Sequence, residues 1–180
     1  MKVVLVFVSS LDGKATKWGS PDVREWSSKQ DQEYFKGLWD EAKLIIMGSN
    51  TFNAGHFSAT SDRLLVVMTN DPSNYKKQEV PGQIEFTDTS PVELTERFQK
   101  AGYQKMMVVG GAQVATSFFK DELIDELWLT IEPIILGTGG SFVNEEKLNI
   151  DLQLIGFEKV NERGTLITKY AVIKKQKDPL

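Results

Sequence analysis

The feature that most constrains this chain is a set of short apolar runs that do not alternate. Val3 to Val8 is six consecutive apolar, mostly β-branched residues, and Lys43 to Met47 and Leu64 to Met68 repeat the pattern. A strand with one wet face alternates apolar and polar side chains, so an unbroken run predicts a strand covered on both faces, as in a parallel sheet flanked by helices. Helical stripes fall between the runs. Residues 27–40 place Tyr34, Phe35, Leu38 and Trp39 on one face, with Ser27 or Ser28 as N-cap. Ser90, Pro91 and Glu93 spell a second helix start, with Ser at the cap, Pro at the first helical position and Glu returning the hydrogen bond. That helix should end near Gly102. A strand at Met106 to Val109 and a helix at Ala112 to Phe119 follow. The polar segment 70–83 reads as a surface loop before a short strand at Ile84 to Phe86. From Glu126 onward, "ELWLTIEPIILG", "LQLIGFEKV" and "TLITKYAVI" are strand patterns without long helices between them. The expectation is one domain over residues 1–180, a three-layer α/β/α sandwich on a mixed, mostly parallel sheet with antiparallel C-terminal strands.

Composition narrows the function classes. With 180 residues and 41% hydrophobic content, the chain can bury one substantial core. Zero cysteines excludes disulfide and thiol chemistry, leaving His56 and carboxylates as metal ligands. No second histidine or ligand-spaced carboxylate accompanies His56, so neither a metal site nor a catalytic role is expected of it. The cysteine-free composition and an N-terminal apolar run too short for a signal or membrane segment lead us to expect a cytoplasmic protein. A net charge of −4 with interspersed signs argues against a nucleic-acid partner. Lys174, Lys175 and Lys177 form the one basic cluster and read as a solvated tail.

The stretch "VVGGAQVATSFF", residues 108–119, sets Gly110 and Gly111 where a buried strand hands over to a helix. Strand-to-helix turns at the carboxyl edge of a parallel sheet are where open α/β folds bind ligands. Helix N-terminal amides attract anions there if side chains do not intrude. The pair lacks the third glycine of a dinucleotide fingerprint and the Lys-Ser/Thr of a Walker loop, so from the residues alone it marks either a phosphate site or a tight turn. Two further strand ends are small and polar, Gly48-Ser49-Asn50-Thr51 and Thr69-Asn70-Asp71. Three such corners suit an extended phosphate-bearing cofactor.

With these corners placed, the chain resembles the dihydrofolate reductase superfamily, including the reductase domain of bacterial riboflavin-biosynthesis proteins, over about residues 2–173. The resemblance implies a cis Gly110-Gly111 peptide beside the dinucleotide phosphates and NADPH as cofactor. It assigns dinucleotide contacts to Val8, Gly48, Ser49, Asn50, Thr51, Thr69, Asn70, Gly110, Gly111, Ala112, Gln113 and Val114. At the Gly-Arg-x-Thr corner the family's arginine is Ser49 here, so a cation expected near the cofactor phosphate is replaced by a hydroxyl.

Two subfamilies compete for the substrate. "SLDGK", Ser10 to Lys14, with "DELWLTIEPIILG" is similar to the riboflavin-type reductases, which implies substrate contacts from Asp12 and Lys14 and a homodimer through the terminal strands. "DQEYFK" is similar to dihydrofolate reductases proper, where Asp31 assists protonation, Phe35 packs on the pterin, Thr130 hydrogen-bonds the acid and Arg63 meets a substrate carboxylate. Reduction of C=N or C=O by a nicotinamide needs hydride alignment and a proton source. An acid half-buried beside an apolar ring suits the second task, because burial raises its pKa.

Each of these residues also has a plain structural reading. Asp31 fits a helix start, Asp12 a turn with Gly13, Lys14 a solvated loop, Thr130 a β-former and Arg63 a solvated strand start. Trp39, Phe118, Phe119 and Trp128 fit a core or a subunit contact. The expected activity is NADPH-dependent reduction of a ribosylaminopyrimidine or pteridine, with the riboflavin-type reductase as the leading reading and a dihydrofolate reductase as the alternative. A nucleotide-binding protein without chemistry is the further alternative that Ser49 favours.

Overall fold

A computed structural model describes residues 1–55 and 57–174. His56, Lys175 and Lys177 therefore lie outside the described residues. Eight strands form one sheet: β1 (Lys2–Ser10), β2 (Leu44–Gly48), β3 (Leu64–Met68), β4 (Ile84–Thr87), β5 (Lys105–Val108), β6 (Glu126–Glu132), β7 (Asp151–Lys159) and β8 (Leu166–Ile173). Their order is β4-β3-β2-β5-β1-β6-β8-β7. β1 to β6 run parallel, β8 is antiparallel to β6, and β7 is antiparallel to β8. Only β8 therefore points against the rest, a refinement of the expected antiparallel ending.

The unbroken apolar runs are accounted for by two cores. Val3, Leu5, Leu44, Ile46, Val66, Met106 and Val108 face one side, with Leu94 and Phe98 of α3 (Pro91–Lys100) and Val114, Ala115 and Phe118 of α4 (Ala112–Lys120). Their neighbours Val4, Val6, Ile45, Met47, Leu65, Val67 and Met107 face the other, against Phe35, Leu38 and Trp39 of α1 (Lys29–Glu41) and Phe52 of α2 (Ser49–Ala54). Side chains alternate across a strand, so a strand with a core on each side must be apolar throughout. Phe118 and Phe119 belong to the first core as expected. Trp128 packs against the second and carries the Lys169 ammonium 4.3 Å from its ring centroid.

Helix starts follow local chemistry. Ser28 caps α1 by accepting the Asp31 N–H at 3.2 Å. The Ser90–Glu93 capping box is formed in full, and Gly102 follows α3 at φ +88°, a conformation glycine adopts freely. Segment 70–83, expected as loop, contains one 3₁₀ turn at Pro72–Tyr75. β7 stands apart: Leu154 is 49% and Phe157 71% exposed, leaving an apolar edge strand uncovered. Among the described residues no helix is long and apolar enough to cross a membrane, and no three His, Asp or Glu residues gather as metal ligands do.

Candidate active site

A cleft of about 920 Å³ opens across the carboxyl ends of the parallel strands. That edge is where all helix-bound turns of a parallel sheet emerge, so its lining is drawn from distant parts of the sequence. One arm is the glycine rim. Gly110-Gly111 is cis, and the Gly110 carbonyl accepts the Gly48 N–H at 2.8 Å, which ties the two glycine corners together. A Cβ on Gly110, at φ +119°, would lie 3.3 Å from Phe7, and one on Gly111 would lie 3.3 Å from the Thr51 hydroxyl. α4 starts at this rim without a side-chain cap, so its first amides face outward as donors. Val8, Ser49, Asn50, Thr51, Thr69, Asn70, Ala112, Gln113 and Val114 line the same cleft.

The other arm is built around Asp31. It sits in the first turn of α1, only 5% exposed, with Phe35 one helical turn further along the cleft wall. Burial pushes its pKa up against a hydrogen bond from the Thr130 hydroxyl, and the Glu132 carboxylate adds repulsion in the same direction as burial. Val8 is the register partner of Thr130, so the two arms meet at β1. Burial also pushes the Tyr34 phenol up to about 12, with the Asp31 charge as the second cause. The Tyr34 hydroxyl is buried in the cleft wall with no hydrogen-bond partner among the described residues. Trp39 also lines the cleft and stacks on Phe57 at 5.2 Å between centroids, so it serves the cleft as well as the core.

Three expected substrate contacts are placed elsewhere. Asp12 turns inward. Its Oδ1 accepts from the Ser10 hydroxyl at 2.7 Å and the Leu136 N–H at 3.0 Å, and its Oδ2 accepts from the Gly137 N–H at 2.7 Å. These bonds, the Ser10 one first, hold its pKa down at about 2. Asp12 therefore staples the loop after β1 to the loop after β6. Replacing it with alanine is expected to speed amide exchange at Leu136 and Gly137, measured by NMR, with cofactor affinity unchanged. Lys14 lies in a short bridge to Ser141 and does not line the cleft. Arg63 is not solvated and does not line the cleft; its Nη2 lies 3.7 Å from the Asp62 carboxylate. The Arg63 side chain is 11% exposed, donates to the Trp39 carbonyl and the Thr60 hydroxyl, and lies 5.7 Å from the Trp39 ring, bracing that wall from behind.

Glu132 was not singled out by its sequence. It is 4% exposed, its Oε1 accepts the Ser28 N–H at 2.7 Å and its Oε2 accepts the Thr165 hydroxyl at 2.7 Å. It thereby fixes the N-terminus of the helix that carries Asp31 to β6 and to the start of β8. The available signal was its period-two spacing from Thr130, which puts both on one face of β6. Removing a buried carboxylate that satisfies two donors leaves both unpaired, so Glu132→Ala should cost about 2–4 kcal/mol in urea unfolding.

A mixed sheet whose carboxyl edge joins a glycine-lined rim to a buried acid has a reductase-like α/β architecture. The chain belongs to the RibD C-terminal domain family, whose sequence profile matches residues 1–166. It is similar to the uncharacterized Bacillus subtilis proteins YwjB, 27% identical over 161 residues covering 83% of this chain and 88% of that one, and YyaP, 28% identical over 164 residues covering 86% of each. Among solved structures, a pyrimidine reductase-like protein from Corynebacterium diphtheriae superposes with a TM-score of 0.73 at 16% identity, covering 97% of this chain and 92% of that one. A Thermotoga maritima diaminohydroxyphosphoribosylaminopyrimidine deaminase/5-amino-6-(5-phosphoribosylamino)uracil reductase gives 0.75 at 14% identity, with 96% of this chain covering 56% of that one. At these identities the structures establish the shared fold.

Proposed function

We propose that the chain is a reductase that takes hydride from a reduced nicotinamide dinucleotide, NADPH in the family it resembles, and delivers it to a ribosylaminopyrimidine or a pteridine. One observation carries the reading: a single cleft joins the glycine rim to the buried Asp31–Thr130 pair. The rim fits a dinucleotide because side chains at Gly110 and Gly111 would crowd Phe7 and Thr51, while the uncapped amides of α4 offer donors to a pyrophosphate. When bound, the nicotinamide supplies the hydride. The chain's own residues supply the rest. Asp31, kept protonated more readily by burial, holds the proton that the reduced centre needs, and Thr130 fixes the carboxyl's orientation. Phe35, Trp39 and Phe57 wall the planar substrate from water. The partnerless Tyr34 hydroxyl gives a polar group of that substrate a buried contact.

The pairing of Asp31 with Thr130 specifically favours a second reading, a dihydrofolate reductase. Oxidation of NADH or NADPH, followed by absorbance, with 5-amino-6-(5-phosphoribosylamino)uracil, its dephosphorylated form and dihydrofolate in turn, separates the substrates. Turnover of any one supports the reductase. Dinucleotide binding with no turnover of any of them sinks it in favour of a nucleotide-binding protein. We extend the reading to a homodimer that covers the exposed Leu154 and Phe157 of β7. A monomer in sedimentation equilibrium would remove that extension.

A further inference from the structure

We infer that the glycine rim selects a dinucleotide whose adenosine ribose carries free hydroxyls, NADH rather than NADPH, and that Asp88 is the discriminating residue. The inference rests on the reductase reading above. It starts from register. Gly48 pairs with Met68, Met68 pairs with Thr87, and Gly48 is bonded to Gly110. The residues that follow, Gly111, Ser49, Thr69 and Asp88, therefore leave the sheet at neighbouring carboxyl ends of β5, β2, β3 and β4, the first two at the starts of α4 and α2. Neighbouring strands are about 4.8 Å apart, so Asp88 lies roughly 10 Å beyond Ser49. That is the direction in which an adenosine must extend if its pyrophosphate rests between Gly111 and Ser49.

The shape of this edge is held locally. The Thr69 N–H donates to the Thr87 carbonyl at 2.9 Å, so the β3 and β4 ends stay side by side. The Thr87 hydroxyl accepts the Thr89 N–H at 3.1 Å, which bends the chain at Asp88 and leaves Asp88 exposed at the cleft. Its chemistry is one-signed. Among the described residues lining the cleft, Arg24 is the one cation. Arg24 precedes α1, whose N-terminus is tied to β6, five strands away from β4 in sheet order. Its guanidinium is already engaged by the Asp22 carboxylate, with Nε to Oδ1 at 2.8 Å and Nη2 to Oδ2 at 2.7 Å. A ribose 2′-phosphate needs a cation beside it; a pair of ribose hydroxyls needs an acceptor. A carboxylate at a strand end beside the pyrophosphate turn supplies the acceptor and repels the phosphate, the device that doubly wound folds use for the same discrimination. Ser49, where the resembling family has arginine, is neutral and leaves that repulsion unopposed.

Isothermal titration of the whole chain with NADH and with NADPH reads this directly, without turnover. NADH is expected to bind at least about tenfold more tightly, with ADP-ribose outcompeting its 2′-phosphorylated form by a similar factor. Asp88→Asn should raise NADPH affinity several-fold and weaken NADH, and Ser49→Arg should favour NADPH independently. Equal or tighter NADPH binding by the unaltered chain overturns the inference while leaving the reductase reading intact. Failure of both dinucleotides to bind overturns both. A preference for NADH that Asp88→Asn leaves unmoved, in a variant whose circular dichroism is native, removes Asp88 from the assignment. A preference that Ser49→Arg also fails to shift rejects the charge argument itself.

Discussion

Replacing Asp31 with asparagine is expected to lower turnover by about 10²–10⁴-fold while dinucleotide affinity stays within a factor of about two. The range is what a positioned general acid contributes, and the amide keeps the volume and the Thr130 contact but holds no transferable proton. The same variant should be the more stable protein at neutral pH. Burial raises the folded-state pKa of Asp31 above its ordinary value, so the folded chain binds that proton more tightly than the unfolded chain does. Stability from this group is fully present below the unfolded carboxyl range and is lost as pH rises through the raised value. Asparagine does not titrate. Melting curves of the two proteins should therefore diverge on the alkaline side of that window, in favour of the variant, and converge on its acid side. Activity of the unaltered protein should fall over the same rise in pH, because the competent form is the protonated one. A variant with unchanged turnover would take Asp31 out of the chemistry. A variant destabilised at every pH would show that the carboxyl is structural.

Gly111→Leu should fold and yet lose at least about a hundredfold in dinucleotide affinity. Gly111 has φ −82°, a value open to any residue. The crowding is local: a Cβ there lies 3.3 Å from the Thr51 hydroxyl, and the remaining atoms must occupy the rim itself. Gly110 makes the contrast. At φ +119° with Phe7 beside it, it tolerates little but glycine, so Gly110→Leu should lower the melting temperature as well as the affinity. Unchanged affinity in a folded Gly111→Leu protein would detach the glycine pair from cofactor binding.

What the sequence disclosed was local or periodic. The capping box at Ser90 and Glu93, the stripe of α1 and the two-sided strands are all written within a few residues, and the structure contains each of them. The strand-end corners were readable too, because glycines and small polar residues after an apolar run mark the carboxyl edge of a sheet. Side-chain destinations were not readable. Asp12 and Leu136 are 124 positions apart, and nothing near Asp12 announces that two amides from the far loop will capture it. Arg63 likewise bonds the Trp39 carbonyl across 24 positions. Glu132 escaped notice because a carboxylate in a strand looks solvent-facing until α1 is laid over it, and Asp88 because its meaning depends on which strands end beside its own. Long-range partners decide what a polar residue does, and those partners are set by sheet order.

Val8 is paired in register with Thr130 on one side of β1, and its neighbour Phe7 touches the glycine corner on the other. On the proposed reductase reading, the central strand would act as a spacer bar between proton source and phosphate cradle, with the bulk of one aliphatic side chain setting the gap that two flat rings share. Isoleucine or alanine at that position would then alter the interval between hydride donor and acceptor while leaving every other group assigned to bind them in place.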